Sequence, residues 1–389
     1  MIRLLTFSTL YPNAAQPHNG IFVENRIRHL LQSNEVEVVV VAPVPWFPIK
    51  KGFGKYSDFA NAPAKEQRHG ITIYHPRFPV IPKIGMSVAP LLMMMFVLAT
   101  IRKIIKDGYD IDVIDAHYFY PDGVAAALIS SIINKPLVIT ARGTDINFIP
   151  KYKLPKKWIR WAADKSAAMI TVCKALKEEM VAMGINDNKI SSLRNGVDLK
   201  LFNPSSKNEI RSKLNISGKM LLSAGYLIER KGHHLIVDAL QQLPGFKLYI
   251  AGDGELDGQL KLRAKQQGVA DRVVFLGALD SEQLRDYMVA ADALVLASSR
   301  EGMANVLLES IACGTPVVAT PLWGTPEVVS SSKAGVLMKA RSVEGVVDGV
   351  RQLFANYPSV DDTRAHGENF SWDATTQGQL AIFRNIIGK

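Results

Sequence analysis

The chain has 389 residues, enough for two or three domains at ~150 residues each, which excludes a lone small binding module. Apolar residues at 48% and charged residues at 21% exclude a disordered, collagenous or many-spanning chain. The net charge of +10 is lopsided: residues 1–200 hold 26 Lys and Arg against 16 Asp and Glu, residues 201–389 hold 20 against 20, so the first half is expected either to meet something anionic or to present a merely solvated basic face.

Taken in chain order, the N-terminus enters an apolar strand, Ile2–Phe7, without the basic start, long apolar stretch and cleavage site of a signal peptide. Ser8, Thr9 and a loop to Asn19-Gly20 follow and open a helix over 21–31, where Gly20 would let backbone amides approach an anion. Val36–Val41 is the next strand, and residues 43–90, punctuated by Pro and Gly, read as a long surface excursion. Val88–Ile101 is the most apolar run. At 14 residues it falls short of the ~20 that span a bilayer, so a core helix is expected, with a helix dipping into a membrane surface as the sharper alternative.

Strands over 112–114, Leu137–Thr140 and Met169–Val172 are each separated by helical patterns. Polar groups stand where the first two of these strands end: Asp115-Ala116-His117, then Arg142-Gly143-Thr144-Asp145. Arg142 and Asp145 either pair with each other or meet a ligand. Residues 151–165 carry Lys151, Lys153, Lys156, Lys157, Arg160 and Lys165 against the single acid Asp164, with Trp158 and Trp161 interleaved. Basic side chains and indoles suit a helix lying on an anionic membrane, the plain alternative being a surface helix with its tryptophans on the sheet.

Turn formers crowd residues 194–206 and no helical pattern bridges 194–218, so the domain boundary is placed there, with domains 1–198 and 199–372. Beyond it the alternation resumes with Met220–Ser223, Lys247–Ile250, Arg272–Phe275, Ala293–Leu296 and Pro316–Ala319. The fold class is therefore α/β, two doubly wound Rossmann-like domains, with ligands expected at the carboxyl ends of the strands. Gly225 closes the first of these strands, and Glu229-Arg230-Lys231-Gly232 precedes a helix, a suitable diphosphate cradle. Gly252-Asp253-Gly254 invites a nicotinamide reading, but Asp257 stands where the third glycine belongs.

The most specific segment runs from Ser298 through Glu301-Gly302-Met303-Ala304-Asn305-Val306 to Glu309. If it is helical throughout, eight residues at ~1.5 Å rise put the two glutamate backbones roughly 12 Å apart, beyond the separation of a glycosidase acid/base pair. Carboxylates so placed suit hydroxyls at two ends of one ligand, a sugar and a ribose, while amides of Gly302 to Asn305 face a diphosphate between them. Surface capping would explain Glu301 but not an acidic Glu309 inside the apolar run Val306–Ile311. Cys313 on that run reads as core, and its distance from Cys173 gives neither a metal spacing nor a disulfide framework, which fits a reducing cytoplasm.

These motifs, with Ala312-Cys313-Gly314-Thr315-Pro316 and Asn195-Gly196-Val197-Asp198, make the chain resemble the family-4 retaining glycosyltransferases of GT-B architecture over nearly its whole length. Tyr11-Pro12, Asn19-Gly20-Ile21-Phe22 and His117-Tyr118-Phe119-Tyr120-Pro121-Asp122-Gly123 look like the branch that builds exopolysaccharides and teichuronic acid. The resemblance implies two domains facing across a cleft, an acceptor domain first and a nucleotide-sugar domain second, with the last helix, 373–389, packing back on the first. It implies Glu301 on the donor sugar, Glu309 on the nucleotide ribose, Lys231 with an arginine on the diphosphate, and His117 near the sugar. Tyr226 follows Gly225 where many members carry Arg, so Arg230 is taken as the substitute, and Ala304 replaces a common proline.

The expected donor set is therefore Gly20, Gly225, Arg230, Lys231, Gly252, Gly302, Met303, Ala304, Asn305, Val306 and Glu309, with His117, Arg230, Lys231 and Glu301 catalytic and Arg142 and Asp145 beside the acceptor. Expected partners are a nucleotide sugar, a glycan or lipid-linked acceptor and an anionic membrane surface met from the cytoplasm through Lys153, Lys156, Lys157, Trp158, Arg160 and Trp161. No cofactor or metal is expected. A sugar-nucleotide epimerase would use the same donor pocket, and a nucleic-acid-binding protein would explain the basic half, although its aromatics form no stacking platform.

Overall fold

The computed structural model describes residues 1–47, 49, 51, 55–81 and 85–388. The chain divides into two compact units, Met1–Arg194 with Asp373–Lys389, and Asn195–Trp372.

Unit 1 runs β1 (Ile2–Phe7), α1 (Ile21–Leu31), β2 (Val36–Val41), β3 (Val44–Pro45), α2 (Lys55–Asn61), β4 (Lys65–Arg68), β5 (Ile71–Tyr74), β6 (Arg77–Phe78) and α3 (Gly85–Lys106). It continues with β7 (Val113–His117), α4 (Val124–Ile133), β8 (Leu137–Ala141), α5 (Thr144–Asn147), α6 (Lys153–Lys165), β9 (Ala168–Thr171), α7 (Lys174–Ala182) and β10 (Ile190–Ser192). The main sheet has the order β10-β9-β8-β7-β1-β2-β5-β4, parallel except for β4, which runs antiparallel to β5. β1 occupies its middle, so five of its six residues are buried, as a strand covered on both faces requires.

Unit 2 runs α8 (Lys207–Lys213), β11 (Lys219–Ala224), α9 (His233–Ala239), β12 (Phe246–Ala251), α10 (Asp257–Gln266), β13 (Val273–Gly277), α11 (Ser281–Ala290) and β14 (Ala293–Leu296). It is completed by α12 (Asn305–Ala312), β15 (Val317–Ala319), α13 (Thr325–Val328), β16 (Gly335–Leu337), α14 (Val343–Ala355) and α15 (Val360–Glu368). Its sheet, order β13-β12-β11-β14-β15-β16, is wholly parallel. Leu248 and Ile250 of β12 meet Ile236 and Val237 of α9 and Val346, Val347 and Val350 of α14 in its core.

The last helix, α16 (Trp372–Ile387), leaves unit 2 at its first residue and packs on unit 1, where Leu380 and Phe383 join Ile2 and Leu4 of β1 and Val23, Ile27 and Leu30 of α1. The order of strands reverses between β1 and β7 in unit 1 and between β11 and β14 in unit 2. In open parallel sheets such a reversal leaves a crevice at the carboxyl ends, because the crossover helices on its two sides lie on opposite faces.

Three expectations are corrected. Residues 43–90 are not only an excursion: β4 and β5 lie within them, and β5 pairs with β2 to extend the main sheet. The stretch 194–218 does contain a helix, the short α8, started by the Ser206 side chain accepting from the Glu209 N–H. The apolar run 88–101 sits inside a 22-residue helix, α3, of which Ser87–Lys106 is long and apolar enough to cross a membrane by length and composition. The run was underestimated because Arg102 and Lys103 interrupt the apolar sequence on one side and Gly85 and Ser87 on the other, while the helix continues through them.

Candidate functional site

At the reversal in unit 2, Gly225 leaves β11 with φ +141°, and a Cβ there would come within 3.4 Å of Lys231 Cε. Gly232 caps α9 in the left-handed region, φ +74°, and a Cβ on it would stand 1.9 Å from the Ala297 carbonyl oxygen. Only glycine lets the α9 N-terminus press against the end of β14. Lys231 is thereby delivered to the loop after β14, where its Nζ donates to Glu301 Oε1 at 2.8 Å. Ser298 Oγ donates to the same oxygen at 2.7 Å, and Arg230 stands 3.6 Å from Oε2. Burial raises the Glu301 carboxyl, but Lys231 and Arg230 outweigh it and bring it below its ordinary value.

The loops are also stapled through their backbones. The Ser299 N–H donates to the Arg230 carbonyl at 2.7 Å, and Arg230 Nη1 donates to the Arg300 carbonyl at 2.7 Å. Residues 301–304 are not helical: α12 begins at Asn305, with Ala304 as its cap and no side chain covering the first turn. The segment is thus not helical throughout from Glu301 to Glu309, and the 12 Å backbone separation drawn from a continuous helix does not apply. Met303 and Ala304 are buried, Asn305 and Val306 half-buried, and Asn305 Oδ1 accepts from Asn195 Nδ2 at 2.8 Å.

Glu309 lies one helical turn farther along α12, partly exposed, with no side-chain hydrogen-bond partner among the described residues. Burial pushes its carboxyl up to about 7. Gly252 serves packing, since a Cβ there would stand 2.0 Å from the Gly225 carbonyl oxygen. Tyr226, on the same edge, is 55% exposed.

At the reversal in unit 1, Asp115 and His117 project from the same face of β7, two residues apart. His117 Nε2 lies 3.1 Å from Asp115 Oδ2, and Arg142 Nη2 lies 2.7 Å from His117 Nδ1. Because the guanidinium can only donate, Nδ1 accepts and the Nε2–H donates to Asp115, which fixes the neutral tautomer. Burial lowers His117 to about 4, so the ring stays neutral across physiological pH. It is fully buried, with both ring nitrogens engaged by Asp115 and Arg142.

From α16, Gln379 donates through Nε2 to Asp115 Oδ2 at 3.3 Å and accepts through Oε1 from Arg26 Nε at 3.0 Å. Asp145 holds the neighbouring loop by its backbone, accepting N–H groups of Phe119, Arg142 and Gly143 at 2.8, 3.1 and 2.7 Å. Asp122 accepts both the N–H and the hydroxyl of Thr9, and its burial lifts it to about 7. Gly20 has a steric reason to be glycine: at φ +68° a Cβ would stand 2.2 Å from the Leu10 carbonyl.

Residues 20–201 match the family model described as Glycosyltransferase Family 4, and residues 206–370 match the model for glycosyl transferases group 1. Both halves of the chain match glycosyltransferase models, and the chain is a glycosyltransferase. Among its relatives is the Bacillus subtilis protein named as the teichuronic acid biosynthesis glycosyltransferase TuaC, 27% identical over 90% of this chain and 88% of the relative. Sucrose-phosphate synthase from Thermosynechococcus elongatus superposes with TM-score 0.80 over 100% of this chain and 99% of its own, at 17% identity. Anabaena HepE, solved in complex with UDP, superposes with TM-score 0.73 over 98% of each chain, at 20% identity. The fold of this glycosyltransferase is GT-B, and it is an enzyme of sugar transfer.

Arg26 and Gln379 are absent from the sequence reading of this glycosyltransferase, and Asp115 and Ser298 are named in it without a place in the expected site. Asp115 was detectable, since residues two apart on a strand share a face. Gln379 was not, because 264 residues separate it from Asp115. In α6 the basic Lys153, Lys156, Lys157 and Arg160 are exposed, while Trp158 and Trp161 are half-buried and meet edge to face at 5.5 Å.

Proposed function

We propose that this glycosyltransferase moves a sugar from a nucleotide diphosphate sugar to a hydroxyl of a lipid-linked cell-surface polysaccharide precursor, with retention of the anomeric configuration. The observation that carries this reading is the buried Lys231–Glu301–Ser298 cluster with an unpartnered Glu309 on the adjoining helix. An internally paired lysine and glutamate can open to meet opposite ends of a ligand: Lys231 and Arg230 take the diphosphate, Glu301 the sugar hydroxyls, and Glu309 the two ribose hydroxyls. The uncovered first turn of α12 adds N–H donors for the phosphates. TuaC, named for teichuronic acid, and HepE, solved with UDP, support the acceptor and donor classes.

In the transfer the bond from the anomeric carbon to the diphosphate oxygen breaks while the acceptor oxygen bonds to the same face. The acceptor proton passes to the departing phosphate oxygen, so no separate protein base is needed. Lys231 and Arg230 stabilise the charge that grows on the leaving group. His117, neutral and held at both nitrogens by Asp115 and Arg142, serves as a rigid wall of the acceptor unit. No metal is required, and among the described residues no cluster of three His, Cys, Asp or Glu side chains is placed to hold one. The exposed cations of α6, with Trp158 and Trp161, hold unit 1 against the anionic inner leaflet, each Lys adding ~1 kcal/mol.

Screening nucleotide sugars for thermal protection identifies the donor, and nuclear magnetic resonance of the product reads its anomeric configuration. An inverted linkage would defeat retention. Sugar isomerisation without acceptor would make the protein an epimerase, and chelator-sensitive turnover restored by Mg²⁺ would defeat metal independence.

A further inference from the structure

The long helix α3 has two opposite stripes, and both are apolar. Met93, Val97, Ile101 and Ile104 recur at helical spacing and are 0, 0, 0 and 3% exposed, which ties this stripe into unit 1. On the other side of the helix Leu91, Met95 and Phe96 are 36, 63 and 50% exposed, followed on the same side by exposed Ala99 and then Arg102, Lys103 and Lys106. A helix on the surface of a globular unit ordinarily turns polar residues outward. Here the outward stripe is apolar for more than two turns and becomes basic only in its last two.

The surroundings continue the pattern. α3 packs on β6, and just past β6 stand Val80 and Ile81, 51 and 40% exposed. Trp46, whose N–H donates to the Phe78 carbonyl in β6, is 57% exposed. α3 also touches α6, which carries the exposed Lys153, Lys156, Lys157 and Arg160. No Asp or Glu occurs anywhere in residues 67–106.

We propose that α3 is a membrane-insertion element: Leu91, Met95 and Phe96 enter the boundary between headgroups and acyl chains of an anionic leaflet, and Arg102, Lys103 and Lys106 hold the lipid phosphates. This deepens the reading of α6 as a headgroup contact, on which it rests, by adding an exposed apolar stripe to the half-buried tryptophan pair of α6. The helix lies in the plane of the leaflet instead of crossing it, because spanning would tear the Met93–Ile104 stripe out of the core of unit 1. A second copy of the chain is a poorer occupant. A two-fold pairing brings the same face of both copies together, and that face carries the cations of α3 and α6 with no Asp or Glu from residues 67–106 to offset them.

The test uses the full-length chain, in which Cys173 and Cys313 are buried, so that a polarity-sensitive maleimide dye reports from Met95→Cys alone. Vesicles are phosphatidylcholine with or without phosphatidylglycerol. The expected result is a blue-shifted emission, quenched by lipid-borne quenchers, with the anionic vesicles only. Met95→Asp with Phe96→Asp should weaken vesicle affinity by at least about ten-fold, since one buried Phe-sized side chain is worth that much. Thermal protection by the nucleotide donor should be retained, showing that the double variant is folded.

Vesicle binding with unshifted emission and undiminished affinity of the Asp variant would overturn insertion by α3 and leave α6 as the contact. Failure of the unsubstituted chain to bind any vesicle would overturn both. Concentration-dependent self-association abolished by Phe96→Asp would give the stripe to a second copy and overturn the membrane assignment.

Discussion

Glu309 is where the chemistry of a single residue is most exposed to measurement. A carboxyl raised by burial to about 7 in the folded chain and near 4.5 when unfolded binds more protons folded than unfolded between those values. Stability from this group is therefore full below about pH 4.5 and falls as pH rises through 7. Glu309→Gln should raise the melting temperature at pH 8, by the equivalent of about 1–3 kcal/mol, and leave it unchanged at pH 4.5. The same variant should bind nucleotide more weakly at pH 8, because an amide accepts fewer hydroxyl donors than a carboxylate. A melting difference that is equal at both pH values would show that Glu309 does not ionise in this range. Glu309 was legible in the sequence because a carboxylate inside Val306–Ile311 has no packing reason to be there. The internal pairing of Glu301 with Lys231 was not legible, since the two stand 70 residues apart and meet only through the Gly232 contact with Ala297.

Among the elements, α16 joins the two kinds of work that a helix can do. Phe383 is fully buried beside α1 and β1, so its loss removes packing, whereas Gln379 stands between two buried charges, Arg26 and Asp115, and its loss leaves both short of a partner. Phe383→Ala should cost about 3–5 kcal/mol. Gln379→Leu keeps the volume and should cost about 1–3 kcal/mol. If Gln379 positions His117 through Asp115, the order reverses for turnover: Gln379→Leu should slow transfer with little change in donor KM, and Phe383→Ala should not, at a temperature where both are folded. Equal turnover in the two variants would reduce Gln379 to a structural residue. The strands of both sheets were readable because a run covered on both faces is mostly apolar, as β1, β2 and β12 are, each with a single charged residue. The helix α3 was misjudged because apolar length was used to mark its ends, and helices end where capping and packing end them, not where polarity begins.

For the molecule as a whole the excess positive charge is the property to explain, and it sits in residues 1–200. A basic surface alone attracts any polyanion, so nucleic acid and membrane are distinguished by what accompanies the charge. In α6 the cations stand exposed around a half-buried tryptophan pair, and in α3 they complete an apolar stripe; both arrangements suit a surface that is charged at its edge and apolar within. Changing Lys153, Lys156, Lys157 and Arg160 to Glu removes four attractions of ~1 kcal/mol each and adds four repulsions, which should abolish binding to phosphatidylglycerol vesicles. The electrostatic part must also weaken with salt, because the Debye length contracts from ≈10 Å at 0.1 M to ≈3 Å at 1 M. Donor protection should be unaltered in the quadruple variant, since unit 2 contains the Lys231–Glu301 cluster and none of the four residues. Co-sedimentation equal to that of the unsubstituted chain would remove α6 from the membrane contact and leave its basic face without a partner.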